Sequence, residues 1–168
     1  MLPQIIFGYF AIVMTVLSVL IVTRKNPVHS VLWMLVLFFH FAAIYLFLNA
    51  EFIAAVQIIL YAGAVLVLFL FVIMMLNLKQ EVSGERYIGE WPIAVALGVS
   101  ILLLIIFAIT KLVPGPLGEY TIELIQKETH TKAVGKFLYT EYLFVFVVAS
   151  LILLIAIVGA MVLAKKRA

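Results

Sequence analysis

The chain contains no cysteine. Disulfides, thiolate metal sites and iron–sulfur ligation by this chain are thereby excluded. Charge is scarce too. Asp, Glu, Lys and Arg make up 11% of the 168 residues, against about a quarter in a soluble domain. The few charges are also unevenly placed. Residues 1–22 carry none beyond the amino terminus, and no fixed charge lies between Lys25 and Glu51 or between Glu51 and Lys79. Residues 91–110 and 142–164 have none either. A chain that is 67% hydrophobic cannot hide that surface from water at this size, but lipid tolerates it.

What is present, then, is a set of long apolar runs. A helix needs roughly 20 apolar residues to cross about 30 Å of hydrocarbon. Each gap between charges reaches that length. The spacing predicts an all-α integral membrane protein, a single membrane domain over 1–168, with spans at 4–23, 28–48, 52–78, 92–112 and 142–164. Each must be helical, because unpaired backbone groups in lipid cost several kcal/mol. The first span lacks a basic start and a small-x-small cleavage site, so a retained helix is expected rather than a signal peptide.

Net charge is +3 and the calculated pI is near 9.2. The bases flank the spans, so topology explains them better than nucleic acid does. If the helices alternate, seven bases fall on one side: Arg24, Lys25, Lys79, Arg86, Lys165, Lys166 and Arg167. The other side holds four: Lys111, Lys127, Lys132 and Lys136. The positive-inside rule predicts an external N-terminus and a cytoplasmic C-terminus.

The connections differ in character. Pro27 suits the first turn of span two. Asn49, Ala50 and Glu51 form a very short link, so spans two and three should make a close antiparallel hairpin. The loop 79–91 mixes acids and bases. The external loop 113–140 is the longest, and 119–128 in it suits a short interfacial helix. No catalytic motif and no internal repeat is apparent. Small residues recur on single faces: Gly8, Ala11, Thr15 and Ser18 in span one, Ala94 and Gly98 in span four, and Ala156, Ala160 and Ala164, with Gly159 beside them, in span five. They let helices approach closely in lipid. Packing within one bundle is the expected use, and docking onto other subunits is the alternative.

Few side chains could carry chemistry. Glu51 is the only acid before residue 80. With Asn49 as N-cap, it would sit in the first helical turn, where the dipole favours an anion. That reading outweighs proton handling. His40 and Tyr61 should lie at similar depth, with Gln57 one turn from Tyr61 on the same face. They would form a polar cluster near mid-membrane. A neutral, bonded His40 is the favoured reading; a proton path through His40 and Gln57 is the sharper one. His29 and His40 do not have metal-ligand spacing.

Span three is the most informative stretch. Its uncharged run, 52–78, exceeds the hydrocarbon thickness by roughly 10 Å. Tilt can absorb the excess. So can a π-bulge, which inserts one residue into a helical turn and often marks a functional site. Tyr61, Ala62, Gly63 and Ala64 are the natural place for one. On physics alone, tilt and packing stand ahead of a switch.

Three stretches carry a resemblance: Asn26-Pro27-Val28-His29-Ser30, Ala50-Glu51-Phe52, and the run from Tyr61-Ala62-Gly63-Ala64-Val65 through Met74-Met75-Leu76. With Leu138, Thr140, Tyr142 and Val158-Gly159-Ala160, they resemble the subunit J family of proton-pumping NADH-quinone oxidoreductase, respiratory complex I. The resemblance implies a non-redox core subunit of the membrane arm, multi-pass in the bacterial inner membrane, near the junction with the peripheral arm. It implies no cofactor in this chain. NADH, FMN, iron–sulfur clusters and quinone would be bound by partner subunits. The partners would be small multi-spanning and antiporter-like chains, the quinone-site subunit and lipid. It further implies a π-bulge over Tyr61, Ala62, Gly63, Ala64 and Val65 that converts to regular helix and gates a water path, coupling quinone reduction to pumping. The family pattern carries Phe-Glu in the last span. This chain has Phe146-Val147 there, so no intramembrane carboxylate is carried over to span five.

Two rival readings remain. One is the equivalent subunit of a membrane-bound hydrogenase or ferredoxin-linked complex. The other is a stand-alone small ion transporter, which the uncharged spans and the missing repeat oppose.

Overall fold

A computed structural model describes residues 2–76, 91–112, 115 and 127–165. The loop 79–90 and the segment 119–126, where most of the interfacial helix was expected, lie outside the described residues. The chain divides into two compact units, Met1–Gly118 and Glu119–Ala168. The first unit contains α1 (Leu2–Thr23), α2 (Pro27–Phe47) and a third span in three pieces. Those pieces are α3 (Glu51–Val56), a π-helical segment (Gln57–Val65) and α4 (Leu66–Met75). It also contains α5 (Trp91–Lys111), while the second unit holds α6 (His130–Thr140) and α7 (Leu143–Ala164). Five of these stretches are long and apolar enough to cross a membrane: α1, α2, the composite Glu51–Met75, α5 and α7.

Local chemistry sets the ends. Asn26 is the N-cap of α2, its side chain accepting from the Val28 N–H at 2.9 Å, with Pro27 at the first helical position. The α2–α3 link works differently from the expected Asn49 cap. Asn49 lies in the left-handed region at φ 57°. The Asn49 N–H donates to Leu46 O and the Ala50 N–H to Tyr45 O, which is the two-bond C-terminal closure of a helix. Asn49 therefore ends α2, and Ala50 precedes α3 without a side-chain cap. Asparagine serves here because its short polar side chain tolerates the left-handed backbone. Glu51 is still in the first turn of α3, and exposed. The third span stops at Met75, short of the expected 78, because Leu76 turns to extended backbone at ψ 124°.

Helix α2 packs against α1 and against the third span. The buried set is sparse and small-sided: Leu17, Val31, Leu37 and Ala42, then Ala54, Gln57, Ala62 and Leu66 on the third span. Three of the four small residues of the α1 stripe are not used in this packing. Ala11, Thr15 and Ser18 are exposed, and both hydroxyls bond carbonyls of their own helix, Thr15 to Ala11 O and Ser18 to Met14 O. The stripes of α5 and α7 are exposed as well. Every residue from 92 to 111 and from 143 to 164 is exposed. Within the first unit, the α5 stripe and Ala11, Thr15 and Ser18 of α1 are thus left unpacked among the described residues.

In the second unit, part of the expected loop is helical. Helix α6 presents Ala133, Val134, Phe137 and Leu138 inward and Lys132 and Lys136 outward. That pattern, recurring at three- and four-residue steps, defines an amphipathic helix. The Phe137 and Tyr142 rings lie 4.8 Å apart, tilted by 38°, across the turn into α7.

Candidate functional site: the π segment and its cleft

The third span is a continuous helix whose hydrogen-bond register changes in the middle. At its exit the Leu66 N–H reaches back five residues to Tyr61 O, rather than the four of an α-helix. The π segment begins at Gln57, four residues before the expected Tyr61, and ends at Val65 as expected. Gly63 lies in its second half. A methyl at that position would stand 3.3 Å from the Ile58 carbonyl oxygen, which is tight.

The wide turn leaves a mark on the packing. Buried positions along the third span are Ala54, Gln57, Ala62 and Leu66. The steps are three, five and four. An α-helix keeps one face by steps of three and four only. The five-residue step from Gln57 to Ala62 is the inserted residue made visible. The half of the span beyond Ala62 therefore faces α2 with a different set of side chains than a regular helix would present.

Gln57 is the one buried polar residue among those described, 8% exposed. It lines an open cleft of about 510 Å³ with Phe38, Phe41 and Tyr45 of α2, and Ile53, Val56 and Tyr61 of its own span. No sealed polar side-chain atom lacks a partner among the described residues, and the Gln57 amide opens onto a space large enough for water. The Tyr61 ring stands edge-on to Phe38 at 6.1 Å and 80°, half exposed at the cleft's edge. Gln57 and Tyr61 are thus brought together as expected.

His40 is not with them. Its ring lies 6.3 Å from those of both Tyr9 and Phe10 on α1, and its Nδ1 is 2.8 Å from Val36 O. Phe38, Phe41 and Tyr45 share a face of α2 at i, i+3 and i+7, and position 40 points elsewhere. The expected three-residue cluster is therefore reduced to Gln57 and Tyr61. Glu51 sits six residues before Gln57, about 9 Å along the axis.

Comparison with known proteins extends over nearly the whole chain. The family model for NADH-ubiquinone/plastoquinone oxidoreductase chain 6 matches residues 17–163. NADH-ubiquinone oxidoreductase chain 6 of Marchantia polymorpha is 35% identical, over 98% of this chain and 87% of its own length. NADH-quinone oxidoreductase subunit J of Rhodobacter capsulatus is 35% identical, over 96% and 81%. That of Rickettsia felis (strain ATCC VR-1525 / URRWXCal2) is 36% identical, over 97% and 80%. The chain belongs to the NADH-quinone oxidoreductase chain 6, or subunit J, family.

In this member of the subunit J family, the π segment opens on Gln57, the one buried polar residue among those described. The family model includes the whole π segment and α2. Sequence reasoning missed Tyr45, Phe38 and Phe41 as cleft residues. The signal was available, since aromatics at i, i+3 and i+7 of span two define one face. Among the described residues, no three His, Cys, Asp or Glu side chains gather as a metal site.

Proposed function

We propose that this chain is a non-redox membrane-arm subunit of a proton-translocating NADH-quinone oxidoreductase, and that its third span is a conformational switch. It would act as one multi-pass membrane domain in the bacterial inner membrane. NADH, FMN, iron–sulfur clusters and quinone would be held by partner subunits. Those partners include small multi-spanning chains, antiporter-like chains and the quinone-site subunit. The names of the relatives support an NADH-oxidising complex over a hydrogenase. The unburied α5 supports assembly over a stand-alone transporter.

The observation that carries the switch is the five-residue step between Gln57 and Ala62. Returning the π turn to α-helix removes one residue from the turn. One residue is about 100° of rotation and 1.5 Å of rise. With Gln57 held in place, the next inward positions become Tyr61 and Val65 instead of Ala62 and Leu66. A phenol ring then replaces a methyl against α2, and the cleft beside Gln57 is filled. In the π form water can stand there; in the α form it is expelled. Glu51 and Gln57 lie on the path so gated. His40, packed on Tyr9 and Phe10, lies off it. The test is NADH-driven acidification of inverted vesicles, measured against NADH oxidation, for a chain locked in one register. Full coupling in a locked chain would sink the proposal.

A further inference from the structure

We infer that the end of the first unit opposite Glu51 holds an anionic phospholipid, with its headgroup on Arg24 and Lys25 and an acyl chain between α1, α2 and α4. An open cleft of about 440 Å³ lies there. Ile21, Val31, Met34, Phe69 and Ile73 give it an apolar wall, while Arg24, Lys25 and Ser30 line it as well. The α1–α2 turn carries both cations, at the end of the apolar spans. Their charge therefore sits at headgroup level while the wall below sits at acyl level. The Arg24 guanidinium lies 5.8 Å over the Trp33 ring. A cation held on an aromatic face is preoriented, and the planar fork retains free edges for a phosphate.

Charge complementarity selects the occupant. No carboxylate lines the cleft among the described residues. Glu51 is a full length of α2 away, about 30 Å. An apolar helix from a neighbouring subunit would fill the wall but bring no charge to the two cations. A zwitterionic lipid would match them with no net charge. An anionic phospholipid satisfies both parts. Basic pockets between spanning helices recognise such headgroups.

The test uses the assembled complex in native membranes, with p-benzoylphenylalanine in place of Phe69, an aromatic exchange on the cleft wall. Irradiation should give this chain an adduct of phospholipid mass. Anionic species should be enriched severalfold over their share of the membrane. The same complex with Arg24→Gln and Lys25→Gln should lose that enrichment. Adducts with a neighbouring subunit's peptide, adducts mirroring bulk lipid, or no lipid adduct in the otherwise native chain would each overturn the inference.

Discussion

Gly63 and Gln57 carry different parts of the proposed work. A methyl at position 63 would stand 3.3 Å from Ile58 O, so Gly63→Ala requires a shift of a few tenths of an ångström and should leave coupling near normal. Gly63→Val adds branched bulk on a backbone that must exist in two registers. Overpacking of this kind costs about 1–3 kcal/mol, and about 1.4 kcal/mol alters a two-state ratio tenfold. The valine variant should assemble and oxidise NADH, yet acidify inverted vesicles roughly tenfold less per NADH. Normal acidification would count heavily against the switch. Gln57→Leu removes the amide that faces the cleft and should also lower acidification. His40→Leu replaces a ring packed on two aromatics and should leave it unchanged in complexes that assemble. Equal losses in both would return His40 to the path. Composition and depth made Gln57 and Tyr61 legible as a pair. The azimuth of His40 was not, because its partners come from α1, and no local pattern pairs residues 10 and 40.

At the scale of elements, charge-free length gave the five spans to within a few residues, since lipid leaves a backbone no choice but helix. The ends were harder. Asn49 can cap a following helix or close a preceding one. The choice fell to the hydrogen bonds from Asn49 N–H to Leu46 O and from Ala50 N–H to Tyr45 O. A substitution separates the two roles. Asn49→Gly keeps the left-handed turn at no steric cost and should leave stability nearly unaltered. Asn49→Val forces a β-branched residue into it and should destabilise by about 1–2 kcal/mol, read as a lower melting temperature of the purified complex. If an N-cap on α3 were the true role, glycine would cost only a few tenths by that route too; Asn49→Ser, a good N-cap but a poor left-handed residue, decides between them. Serine should be harmed nearly as much as valine. The π segment was legible in part. Excess length and the small run marked Tyr61 to Ala64, and the family resemblance extended it to Val65. Its start at Gln57 has no signal in the sequence of span three.

At the scale of the molecule, the exposed faces matter most. In the first unit, α5 buries none of its described residues, and α1 turns Ala11, Thr15 and Ser18 outward. Small stripes favour close helix approach in lipid, so these faces suit neighbouring subunits. The chain should accordingly co-purify with antiporter-like and NADH-oxidising subunits; a monomer that moves ions alone in liposomes would refute the assembly reading. The proposed path also needs a direction, and orientation follows from charge alone. Seven bases flank one end of the spans and four the other. Five spans put the two termini on opposite sides. The positive-inside rule therefore predicts a cytoplasmic C-terminus, with its Lys165, Lys166 and Arg167. Glu51 would then lie at the external end of the third span and the Arg24–Lys25 cleft at the cytoplasmic end. A fluorescent protein that matures only in the cytoplasm, fused after Ala168, should glow. An alkaline phosphatase fused there, active only outside, should be silent. The reverse pair of results would invert the direction of any path past Gln57 and move the basic cleft to the outer leaflet.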